Sequence, residues 1–350
     1  MRAKQDGLSN GNLGKRVTLE DVADRAAVSR ATVSRVIRGV PGVDAEIVKR
    51  VGKAISQTGY RTNLAARALA GGKTQNIAVI FREDFSDLFM NGYWGQVLEG
   101  LHSHFTKTEH QLTILINKGE SGKKLSQYLL GNHVDGAVFL GTTHNDKLPY
   151  LLTKNNIPVV VLGDPYKSHK IARVNGDDVA VGDIAANMLL DIGCKNIGAV
   201  TGSDDIATSQ ARTYGFKKGL EKRGYVLNES SIESGEFTLR GGYNAIQNLL
   251  NKKPSLDGVF VLSDMMAVGV VENLNRLGKS VPRDISVLGC DNSPAGEFTN
   301  PKLTTIHCNP FHEGLASAEL LSNLMNGDPI RSLVFPPELI VRESTRQPKK

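Results

Sequence analysis

Three cysteines in 350 residues, Cys194, Cys290 and Cys308, are too few and too scattered for a disulfide framework. None stands in a C-x-x-C pair, so zinc-ligand spacing is missing too, and small buried thiols in a reducing cytoplasm are expected. No apolar run approaches the 18 residues that mark a spanning helix. The first 16 residues are polar and lack an apolar segment, which predicts a disordered start and no secretory signal. The first strand-like run, Ile77–Phe81, leads into "REDFSD" and not G-x-G-x-x-G, so a dinucleotide cofactor is not expected. "AGGKT" at 70–74 ends like a phosphate loop, but the first glycine of that motif would fall on Arg67. No G-x-S-x-G elbow occurs, and His102 and His104 point to different faces of a helical stretch. No enzyme activity, cofactor or metal is expected.

What is present is charge of one sign in one place. The chain carries a net +6, yet residues 1–75 hold 14 Lys+Arg against 6 Asp+Glu, leaving the other 275 residues at −2. A basic excess confined to a small module is the footprint of a polyanion partner. Within it, "VSRATVSRVIRG" (28–39) places Arg30, Arg35 and Arg38 among Ser29, Thr32 and Ser34, with no acid. Apolar residues recur there at helical spacing.

Thr18 with Asp21 predicts an N-cap, Ser29 a second and Asp44 a third, so three short helices run from Thr18 to Tyr60. A tight turn between the first two matches a helix-turn-helix unit. Packed by its apolar face, the second helix would present Arg30, Ser34, Arg35 and Arg38 to the major groove and its phosphates. Beyond a polar linker, seven strand-length apolar runs alternate with helical stretches: 77–81, 112–116, 135–141, 157–163, 196–202, 257–264 and 284–291. That rhythm predicts parallel sheets covered on both faces, in one wide sheet or two smaller ones.

The run D-V-A-x-x-A-x-V-S-x-x-T-V-S-R, present as Asp21 to Arg35, resembles the headpiece of the lactose-repressor (LacI/GalR) family of bacterial transcription regulators. The likeness continues through "GYRTNLAARALA" to "LTTIHCNP" and "ELIVREST". It implies that Arg30 and Ala31 open a recognition helix, and that Thr18, Ser29, Thr32, Ser34 and Arg35 meet phosphates or base edges. Asn63 to Leu69, Ala66 included, would be a hinge helix in the minor groove, with Leu69 wedged into a base step. Departures are Ala27 where the turn commonly has Gly, Arg38 for Asn, Ile47-Val48 for Thr-Arg, and Thr62 for Pro.

The same resemblance implies an α/β body of two lobes, like a type I periplasmic binding protein, with an effector in the cleft. The expected parts are a disordered segment 1–16, a DNA-binding domain 17–62, a hinge and linker 63–76, and a body 77–345. Lobe 1 would take 77–174 and 307–333, lobe 2 would take 175–306 and 334–345, and the chain would cross near Val174, Ile306 and Leu333. Arg212 and Asp291 match the family's effector-binding pair. Ser263 and Phe237 take positions often held by a polar and a stacking residue, Asp164 is a further candidate, and Tyr93 and Trp94 could form an aromatic wall. Such a set suits a sugar, whose hydroxyls meet Asp and Arg while aromatic rings cover its C–H faces. A cytoplasmic, nucleoid-associated homodimer is expected, repressing carbohydrate genes from a pseudo-palindromic operator, with no membrane partner. A nucleoside, a purine or a phosphorylated protein as effector stays open; an enzymatic or solute-binding module fused to a DNA anchor is disfavoured by the missing catalytic constellation and secretory signal.

Overall fold

The computed structural model describes residues 17–61, 73–82, 92–117, 122–143, 145–163 and 170–347. The expected disordered start and the hinge residues Asn63, Ala66 and Leu69 lie outside them, as does Asp164. Contacts divide the chain into two units, 1–72 and 73–350.

The described residues of the first unit form three helices: α1 (Leu19–Ala26), α2 (Arg30–Ile37) and α3 (Ala45–Thr58). Thr18 and Asp21 cap α1 reciprocally, each side chain taking the other's backbone N–H. Ser29 and Asp44 cap α2 and α3, and Gly59 ends α3 in the left-handed conformation. The α1–α2 turn is closed by Ala27 at φ 51°, a left-handed position that strains any residue with a Cβ. Val22, Ala23, Ala26, Val33, Val51 and Ala54 form the core, with Leu19, Val36, Ile37 and Tyr60 around it.

The second unit holds two parallel sheets. Six strands, β1 (Asn76–Phe81), β2 (Gln111–Ile116), β3 (Gly136–Leu140), β4 (Val159–Leu162), β5 (Ala172–Gly176) and β11 (Ser332–Phe335), pair in the order β11-β5-β4-β3-β1-β2. Four more, β6 (Ile197–Thr201), β7 (Ile232–Ser234), β8 (Gly258–Val261) and β9 (Ser286–Leu288), pair in the order β7-β6-β8-β9. Between them lies a two-stranded antiparallel ribbon, β10 (Thr305–His307) with β12 (Glu338–Ile340). Nearly continuous burial of β1, β3, β4, β6 and β8 reflects sheets covered on both faces.

On the six-stranded sheet one cover is α4 (Gly92–Phe105) with α11 (Pro310–Met325), and the other is α5 (Gly122–Leu130) with α6 (Leu148–Lys154). The four-stranded sheet packs with α7 (Asp178–Asp191), α8 (Ala207–Lys222), α9 (Leu239–Lys252) and α10 (Asp264–Arg276). β5 runs to Gly176 and β11 to Phe335 in the six-stranded sheet, so the first and third crossings follow two residues beyond Val174 and Leu333, near which they are expected. The second falls after β10, since α11 returns to the six-stranded sheet. Asp135 holds the start of this unit: its carboxylate accepts the backbone N–H groups of Thr74 and Gln75 and the Thr74 hydroxyl.

Candidate functional site

In each sheet the strand order reverses beside the first strand, between β1 and β3 and between β6 and β8. Open α/β sheets bind ligands beyond the carboxyl ends of strands at such points. A cleft lies there, lined by Thr142 and Gly163 after β3 and β4, Asn175 on β5, Thr208 on α8 and Cys308 after β10, beside the residues described next.

Arg212, on α8 and only 5% exposed, is the hub. Its Nε donates to Asp178 at 2.8 Å, and Nη1 donates to Asp291 at 3.1 Å and to the Leu262 carbonyl at 2.7 Å. Nη2 lies 3.6 Å from the Cys308 sulfur. Arg212 and Asp291 thus touch directly and do not face each other across an open gap. Burial pushes the carboxyl of Asp291 up to about 6, more than the neighbouring guanidinium holds it down. Asp178 is raised for the same reason.

On the opposite wall Glu313, 1% exposed on α11, accepts the Tyr93 hydroxyl at 2.6 Å. Burial raises its carboxyl to about 8, so at neutral pH it is largely a neutral acid that can donate as well as accept. Trp94 lines the cleft and stands edge-on to Tyr93 and Phe81, with ring centroids 4.8 and 5.6 Å away. Phe237 lines it from the other lobe at φ 56°, its ring lying where a Cβ on Gly202 would sit. Thr142 adds a buried hydroxyl with no hydrogen-bond partner among the described residues.

Arg212, Asp291, Phe237 and Trp94 therefore share one cleft, and Ser263 is not part of its lining. Ser263 caps α10: its hydroxyl accepts the Met266 N–H at 3.3 Å. Asp178 and Glu313 were missed. Asp178 follows Asp177, which caps α7, and two adjacent acids at a helix start look like one capping box. Glu313 shares its helix with the exposed Glu319, and spacing alone does not tell the buried acid from the solvated one.

In the first unit Arg30, Ala31 and Arg35 are exposed on α2 and Arg38 at its C-cap, while Val33 is buried beneath. Arg30 pairs with Glu20 of α1 at 3.1 Å, a surface contact worth about 0.2–1 kcal/mol that a phosphate can replace. Ser29 and Thr32 share a hydrogen bond of 2.9 Å, which leaves one hydroxyl proton free to point outward. The Thr18 hydroxyl already donates to Asp21 at 2.9 Å, so its expected phosphate contact competes with the α1 cap.

Residues 18–63 match the model of the bacterial regulatory proteins of the lacI family, and 186–345 match that of the periplasmic binding protein-like domain. The HTH-type transcriptional regulator CelR of Thermobifida fusca is 32% identical over 336 residues, covering 94% of this chain and 98% of the relative. Catabolite control protein A of Priestia megaterium is 31% identical over 94% of this chain and 99% of its own. Among solved structures, a CelR–cellobiose complex superposes with a TM-score of 0.75 at 30% identity, over 94% of this chain and all of that one. The Lac repressor dimer bound to operator and an anti-inducer gives 0.82 at 23% identity, over 95% of this chain and all of that one. With a helix-turn-helix unit, a two-sheet body and relatives matched nearly end to end, the chain belongs to the LacI family of bacterial transcriptional regulators.

Proposed function

We propose that this chain represses carbohydrate uptake or utilisation genes, and that a small neutral sugar in the cleft controls its hold on operator DNA. The observation that carries the effector class is the lining. Asp178, Asp291 and Glu313 surround a single arginine, with Trp94 and Phe237 as apolar faces. Carboxylates accept paired hydroxyls, the arginine and a neutral Glu313 donate to ring and hydroxyl oxygens, and the rings cover C–H patches. A phosphorylated ligand would meet a guanidinium already paired with Asp178 and Asp291. The cellobiose held by the CelR relative supports the same class.

The head supplies the DNA contact through the exposed arginines of α2, with Ser29, Thr32 and Ser34 toward phosphate or base edges. Asn63, Ala66 and Leu69 would extend it into the minor groove. One head reads a half-site, so the working species is a dimer. Phe298, 87% exposed beside Val268 on the four-stranded lobe, is the apolar anchor for the second copy.

Titrating the protein with mono- and disaccharides, purines and sugar phosphates while following the emission of Trp94, the only tryptophan, tests this reading. Saturable change with a neutral sugar is expected. A response confined to purines or phosphorylated ligands would replace the sugar with that class.

A further inference from the structure

The cleft carries a pair of groups that effector binding does not require. Cys290, two residues past β9, and Cys308, one residue past β10, lie on neighbouring segments joined by a parallel bridge between Asp291 and His307. Both are free thiols, buried at 0% and 4% exposure, with their sulfur atoms 3.4 Å apart. Cys308 lines the cleft, so a small solute entering it reaches this sulfur first.

With Asp291 the two sulfurs form a group of donor atoms all within 4.8 Å of one another. A metal cation there would face the permanently charged Arg212 guanidinium, 3.1 Å from Asp291 and 3.6 Å from Cys308. Nη2 of the same guanidinium faces the Cys308 sulfur while Nε and Nη1 serve the two carboxylates, so this N–H can donate to the sulfur during nucleophilic attack.

We propose that Cys290 and Cys308 form a dithiol site in the cleft wall that small hydroperoxides oxidise reversibly to a disulfide. The Cys308 sulfur attacks one peroxide oxygen, the O–O bond breaks, and the other oxygen leaves as alcohol or water with the thiol proton. Cys308 is then a sulfenic acid. The Cys290 sulfur attacks it, the S–S bond forms as the S–O bond breaks, and the departing hydroxide leaves as water with the Cys290 proton. Two thiols and one hydroperoxide give a disulfide, an alcohol and water. The two sulfurs must close from 3.4 Å to about 2.05 Å. Cys290 precedes Asp291 and Cys308 faces Arg212, so closure displaces contacts of both effector-binding residues.

The test uses the full-length reduced protein, treated with hydrogen peroxide or tert-butyl hydroperoxide, alkylated with N-ethylmaleimide, digested and weighed. A peptide linking Cys290 to Cys308, lighter by two hydrogens and released by dithiothreitol, is expected. It should persist in Cys194→Ser and vanish in Cys290→Ser. Trp94 titration of the oxidised protein should show sugar affinity at least several-fold weaker, restored on reduction. Full alkylation of both thiols after peroxide, or sulfinic acid on Cys308 without a link, would overturn the proposal. A link that leaves sugar affinity unchanged would overturn its coupling to the cleft.

Discussion

Arg212 satisfies two carboxylates and a carbonyl at once, so removing it leaves Asp178 and Asp291 buried beside each other without their counter-charge. Arg212→Ala and Asp291→Asn should each cost about 1–3 kcal/mol of sugar binding, or roughly 5- to 150-fold, measured by Trp94 titration. Operator affinity without sugar should stay near wild type, so both variants repress permanently. Glu313 predicts a pH dependence. Its carboxyl is raised to about 8 in the folded protein from an ordinary 4.5. The folded state therefore keeps a proton that the unfolded chain releases, and stability falls as pH rises through that window. The Tm of the sugar-free body should drop between about pH 5 and 8 and level off above, by an amount reflecting at most a few kcal/mol, and Glu313→Gln should flatten the slope. Asp291 adds the same sign lower down, up to about pH 6. In the head, Ala27→Gly relieves the φ of 51° and should raise head stability by up to about 1 kcal/mol, read by thermal denaturation of the head signal.

The cleft is assembled by two helix pairs, each closed by glycines. Gly182 of α7 faces Arg212 and Phe216 of α8 so closely that a Cβ would lie 2.2 Å from the Arg212 carbonyl oxygen. Gly215 of α8 meets the Val179 carbonyl in return. Across the cleft, Gly100 of α4 and Gly314 of α11 meet Phe311 and Val97 in the same way. One pair thus sets Asp178 against Arg212, and the other sets Tyr93 against Glu313. Gly182→Ala should separate α7 from α8, lower the Tm by an overpacking cost of about 1–3 kcal/mol, and weaken sugar binding without touching the ligand. Unchanged affinity with a lowered Tm would show that the pair is structural only.

Strands and caps were legible at this scale because they are local. Seven apolar runs matched seven strands, and Thr18, Ser29 and Asp44 capped as their spacing implies. β5, "ARVNG", has two polar residues in five, and β7 and β10 have three residues each, so periodicity had little to register. Asp178 and Glu313 escaped because a buried acid is recognised by what folds around it. Ser263 misled for the opposite reason: a serine before Asp264 is equally a site residue and a helix cap, and here it caps.

At the scale of the molecule, charge and apolar surface are placed for different partners. Two heads bring about +16, so operator affinity should fall by about 0.9 log unit per neutralised phosphate for each log unit of salt. Phe298→Ser should shift sedimentation from dimer toward monomer and weaken operator binding most at low protein concentration. A monomeric wild type would remove the dimer from the account. A sugar can release DNA only by binding one arrangement of the lobes better than another. Gel-shift titration of wild-type protein on a selected pseudo-palindromic site, with and without the best-binding sugar, measures that coupling directly. Operator affinity should fall at least several-fold with sugar in wild type and stay unchanged in Arg212→Ala. Equal affinity with and without the sugar in wild-type protein, at saturating cleft occupancy, would contradict it.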